Sequence, residues 1–106
     1  MKYIIIESRL NQVIFKYLDN MNLITKQRYD DIFFVKDKSD KYGVLRYDTT
    51  DGWLFIKRDL VNEVSSFFSL SQEESEIVIS RWVENTIDET VSEPDTWSGD
   101  LTFLIP

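Results

Sequence analysis

Nineteen carboxylates and twelve Lys or Arg side chains share a chain of 106 residues with no His and no Cys. That inventory removes much chemistry before any fold is drawn. Nucleophilic triads need a base that titrates near neutrality, and without imidazole the Ser and Thr hydroxyls lack their usual partner. No Ser-x-x-Lys spacing supplies a substitute. Without Cys there is no disulfide framework and no thiolate metal site. Gly43, Gly52 and Gly99 stand apart from one another, so no phosphate-cradling or dinucleotide loop exists. Metal-dependent nucleases set acids beside a Lys on a strand, and neither Asp-x-Lys nor Glu-x-Lys occurs. Two acidic turns fail the calcium-loop pattern: from Asp37 the sixth position is Tyr42, and from Asp48 Gly52 falls fifth. Glu84 and Asp88 share a helix face at i, i+4, but an exposed pair lacks the cleft and raised pKa that acid–base work requires. The expectation is a protein that is not an enzyme and carries no cofactor and no metal.

Charge is the stronger signal. Residues 1–58 hold eleven bases and eight acids (11 − 8 = +3), whereas residues 59–106 hold Arg81 and eleven acids (1 − 11 = −10). Such a field repels phosphate backbones and anionic membrane surfaces and attracts basic partners. It also keeps a small protein soluble, which is the plainer reading. The longest apolar runs, Tyr3–Ile6 and Ile32–Val35, fall far short of the roughly 20 residues of a membrane span. Glu7 and Arg9 cut the N-terminal run below the length of a signal-peptide core. A reducing cytoplasm is the expected compartment.

These residues need elements to hold them. Residues 2–7 read as a strand covered on both faces. Ser8 caps a helix whose Leu10, Val13, Ile14, Tyr17, Leu18 and Met21 form one apolar stripe, ended near Asn20 and Asn22. Residues 23–30 are irregular or a short edge strand. Strands follow at about 31–36, 41–48 and 53–57, joined by an Asp37–Asp40 turn and a Thr49–Gly52 hairpin. Leu45, Tyr47, Leu54 and Ile56 share one face of this meander. Tyr42, Val44, Arg46, Trp53, Phe55 and Lys57 share the other, and helices are expected over part of each. Asp59 opens a second helix with Leu60, Val61, Val64, Phe67 and Phe68 on one side. Ser71 and Glu74 form a capping box for a third helix that runs to about Glu89. Residues 90–99 read as a loop and 100–106 as a docked terminal strand. The whole is a single domain, 1–106, of α+β class: a mainly antiparallel sheet in the order β-α-β-β-β-α-α with a C-terminal strand, and helices packed on it.

Three surfaces could make contacts. Arg46, Lys57 and Arg58 lie near Tyr42, Trp53 and Phe55, with Lys36, Lys38 and Lys41 at the first turn. Cations around aromatics are how single-stranded nucleic acid is held. An excess of three positive charges against ten negatives argues against nucleic acid as a partner, and core packing explains the aromatics as well. The second surface is the third helix, where Ile77 falls in phase with Glu73, Glu74, Arg81, Glu84 and Asp88. An apolar anchor ringed by charge is a small protein-binding surface, and an acidic helix could also imitate a phosphate backbone. A solvated helix face is the competing reading. The third is the tail, where Trp97 and Phe103 either pack on their own chain or form an edge for strand addition and homo-oligomer contacts.

Two segments resemble something known. Tyr3-Ile4-Ile5-Ile6-Glu7-Ser8-Arg9-Leu10-Asn11-Gln12-Val13-Ile14-Phe15-Lys16-Tyr17-Leu18-Asp19 and Arg81-Trp82-Val83-Glu84-Asn85-Thr86 resemble small proteins of marine tailed bacteriophages, such as those that infect cyanobacteria. The similarity runs through roughly residues 3–90 and brings no catalytic or binding residue with it. It implies a viral protein made in the cytoplasm of an infected bacterium. There the expected role is an accessory factor that binds a host or phage protein through the acidic face of the second and third helices. The alternative is a virion component joined through its sheet edge and tail.

Overall fold

The computed structural model of the chain describes the backbone of residues 2–99, 101 and 102 and the side chains of residues 9–99. Helix α1 spans Lys2–Asp19, so the expected N-terminal strand over residues 2–7 is instead the first part of a helix. A short apolar run satisfies either period, and adding turns to an existing helix is cheaper than starting a new strand. Ser8 therefore lies inside the helix rather than at its cap. The far end behaves as expected: Asn22 takes a left-handed conformation (φ 55°), and its amide reaches the Asp19 carbonyl at 3.1 Å.

Strands β1 (Ile24–Arg28), β2 (Asp31–Val35), β3 (Tyr42–Gly43), β4 (Leu45–Asp48) and β5 (Trp53–Lys57) follow. Helices α2 (Arg58–Phe68) and α3 (Gln72–Ile87) come next, then β6 (Glu93–Trp97) and β7 (Leu101–Thr102). The main sheet runs β1-β2-β4-β5-β6. Its first four strands are antiparallel neighbours, and β6 lies parallel to β5, with Trp53 opposite Glu93 and Lys57 opposite Trp97. The expected loop at 90–99 thus contains a strand. Pro94 and two acids hid it, since Pro, Asp and Glu are depleted in strands; Pro is tolerated because β6 is an edge. The tail pairs with its own chain as far as Thr102, but with β3 in a separate two-stranded ribbon. Val44 is where β3 parts from β4, although its amide still bonds the Phe34 carbonyl at 2.7 Å.

Strand alternation turns Phe34, Leu45, Tyr47, Leu54 and Ile56 to one face of the sheet. Ile14 and Leu18 of α1, Leu60, Val61 and Val64 of α2, and Val78, Ile79, Trp82 and Val83 of α3 bury themselves against them. All three helices therefore build one core on one side. This corrects the expectation of helices over both faces. Phe33 and Val35 are buried on the other face with Ile24 in a small cluster of their own. Trp82 Nε1 donates to Asp19 Oδ1 at 2.9 Å and ties α3 to the end of α1. Buried Ser75 shares its hydroxyl with Ser65 at 2.7 Å, and buried Ser80 bonds the Glu76 carbonyl at 2.7 Å, so neither goes unpaired in the core.

Candidate functional site

The Ser71 capping box forms as the sequence predicts: Ser71 Oγ accepts from the Glu74 amide at 3.1 Å, and Glu74 Oε1 accepts from the Ser71 amide at 2.9 Å. The Ser71 amide first, and the Ser71 hydroxyl beside it, hold the Glu74 carboxyl below the ordinary glutamate range. With the helix start fixed, the period places Glu73, Glu74, Ile77, Arg81, Glu84 and Asp88 along one side of α3. Ile77 is 46% exposed, and Glu73, Glu74, Arg81 and Asp88 are exposed around it.

Several of these residues have structural work. Arg81 pairs with Glu84 at 3.1 Å. The second oxygen of half-buried Glu84 accepts from the Val91 amide at 2.8 Å, which pins the chain leaving α3. Asp88 is the left-handed C-cap of the helix (φ 57°). Glu84 and Asp88 therefore fix the end of α3, with Arg81 paired to Glu84, while Ile77 stays exposed.

The anchor does not stand alone. Leu10, 40% exposed, lies across from Ile77 in a groove of about 290 Å³ between α1 and α3. Ile14, Leu70 and Val78 form its apolar floor and walls, and Glu74 and Arg81 its polar edges. Leu10 and Leu70 were not legible as site residues. Leu10 sits in phase with the core stripe of α1, and nothing local shows that this turn of the helix overhangs a groove. A broader depression of about 630 Å³ continues along the same two helices, lined by Asn11, Gln12, Arg81, Glu84, Asn85 and Asp88 among others.

One acidic face shared by α2 and α3 is not what the fold builds. Asp59 and Glu63 of α2 line a different depression with Lys36, Lys57 and Tyr42. Glu63 also accepts a short hydrogen bond from Tyr17. Glu73 and Glu76 lie beside Glu93 in another. The surplus acids are thus spread over separate parts of the surface: Glu73, Glu76 and Glu93 share a depression with Ile77, and Glu74 edges the groove. Trp97 sits in β6, packed edge-on against Phe55, rather than in a loose tail; Phe103 lies outside the described residues. Arg46, Trp53 and Phe55 do come together on the helix-free face, whereas Tyr42 stands in β3 by the depression that holds Asp59 and Glu63.

The acidic turns are hydrogen-bonded loops. Asp37 accepts from Ser39 twice at 3.0 Å, and Asp48 accepts from the Thr50 amide at 2.9 Å and from the Thr50 hydroxyl. These bonds lower both carboxyls. Among the described residues no group of three or more Asp or Glu is placed to hold a metal ion. Within the same residues, no helix is long and apolar enough to cross a membrane. No family model, curated protein or solved structure matches the chain.

Proposed function

We propose that this is a non-catalytic docking module that takes a basic, amphipathic helical segment of another protein into the α1–α3 groove. The observation that carries the reading is the pairing of exposed Ile77 with exposed Leu10 across an apolar groove edged by Glu74 and Arg81. A helix-in-groove contact uses such anchors at helical spacing. Along the Ile77 side of α3, Glu73, Glu74, Glu84 and Asp88 stand against Arg81, which favours a cationic partner and speeds its encounter. The setting, an infected bacterial cell with a host or phage protein as partner, rests on the bacteriophage resemblance of residues 3–19 and 81–86.

Isotope-edited NMR titration tests the groove. The probe is a synthetic amphipathic peptide of Leu and Lys, with its Leu and Glu counterpart as comparison. Amide shifts are expected at Leu10, Leu70, Ile77 and Arg81 with the basic peptide only. Ile77→Asp should weaken binding about tenfold or more, as loss of a central anchor does. Shifts elsewhere, equal binding of the acidic peptide, or indifference to Ile77→Asp would overturn the reading.

A further inference from the structure

The face of the sheet opposite the core carries a second arrangement. Strand alternation sends Arg46 of β4, Trp53, Phe55 and Lys57 of β5, and Glu93, Asp95 and Trp97 of β6 to that side. Trp53 and Phe55 stack with centroids 6.2 Å apart and planes at 27°, and Trp97 meets Phe55 edge-on at 5.8 Å. Trp53 is 39% exposed and Trp97 44%. The Arg46 guanidinium lies over Phe55 at 5.7 Å and over Phe33 at 5.8 Å, and bonds Asp31 at 3.0 Å. Beside Trp97, Arg58 Nε donates to Ser98 Oγ at 3.2 Å. Two tryptophans are thus held in water on rigid strands rather than on loops.

The charges around them identify what could cover them. Close to the rings, Arg46 and Arg58 stand against Asp31, Glu93 and Asp95, so no cationic excess surrounds the platform. Single-stranded nucleic acid needs a cationic track beside its stacking rings, and here carboxylates stand at the edge strand. A ligand with apolar flat faces and a neutral rim of hydroxyls fits better. The C–H faces of a pyranose ring pack on indole. Its hydroxyls both donate to carboxylates and accept from guanidinium groups. With the Phe55 ring between them at 6.2 and 5.8 Å, the Trp53 and Trp97 rings lie within about 12 Å of each other. That span suits several units of a chain rather than one sugar.

We infer that the helix-free face of the sheet binds a neutral glycan chain, with sugar rings stacked on Trp53 and Trp97 and hydroxyls held by Asp95, Glu93 and Arg46. The site is separate from the α1–α3 groove and does not depend on it.

Affinity electrophoresis of the full chain through gels containing hydroxyethylcellulose, amylopectin or glycol chitin tests the inference, with tryptophan fluorescence read against the matching oligosaccharides. Retardation by at least one neutral polymer is expected. Trp53→Ala and Trp97→Ala should each weaken it about tenfold, and Trp53→Tyr, which keeps a ring, should retain most of it. Near-UV circular dichroism confirms that each variant is folded, and Ile77→Asp should leave glycan binding unchanged. No retardation by any of the three polymers, retardation indifferent to both alanine variants, or binding of an oligo-dT strand in their place would overturn it.

Discussion

Tyr17 joins two helices through one hydroxyl. It donates to Glu63 on α2, and its ring meets Phe67 and Phe68 edge-on at 5.0 and 5.4 Å. The hydrogen bond to Glu63, then burial, then the carboxylate's charge push its hydroxyl from 10.0 up to about 12. The sign follows from linkage. The folded state keeps this proton longer than the unfolded state, so the contribution is complete below about pH 10 and lost as pH rises toward 12. Ultraviolet titration of phenolate should show this tyrosine ionising late, and Glu63→Gln should bring it back toward 10. Glu74 works in the opposite direction. Its folded carboxyl is depressed by the capping box, so its contribution is present above the ordinary glutamate value and lost on acidification.

At the scale of elements, the hairpin between β4 and β5 also positions β6. Gly52 holds a left-handed backbone (φ 79°), accepts the Ser92 amide on its carbonyl at 2.8 Å and donates to Asp48 at 2.8 Å. A Cβ there would sit 2.4 Å from Ser92 Oγ and 3.2 Å from the Thr90 carbonyl. Gly52→Ala should destabilise the chain by about 1–3 kcal/mol in urea denaturation, from backbone strain before any clash. Elements with a local signature were legible. The Asp51-Gly52 turn, the Ser71–Glu74 box and the Leu60, Val61, Val64 stripe each declare themselves within a few residues. β6 does not, because its partner lies more than thirty residues away and its own residues argue against a strand. The candidate site divides the same way. The phase of Ile77 on α3 was readable, but Leu10 and Leu70 enter only through the crossing of α1 over the other helices. The start of α1 failed for a third reason, since four consecutive apolar residues carry no period.

Across the whole molecule, one core serves three helices, so α1 depends on few contacts. Ile14 and Leu18 are its fully buried side chains among those described. Leu18→Ala should cost about 2–5 kcal/mol, a large share of the stability of a domain this size. Thermal melts followed by Trp82 fluorescence should show it, because the indole bonds Asp19 one residue beyond. Glu73, Glu74, Glu84 and Asp88 against Arg81 leave the α3 side acidic, so added salt should weaken the binding of a basic peptide there and hardly touch that of a neutral ligand on the aromatic face.

The parallel pairing of β6 has a consequence in time. The meander of β1, β2, β4 and β5 is zipped by neighbouring strands, whereas β6 pairs only after α2 and α3 have carried the chain back across the sheet. In stopped-flow refolding, the contact of Trp97 with Phe55 is therefore expected to form after the meander, so that the tryptophan platform is completed last.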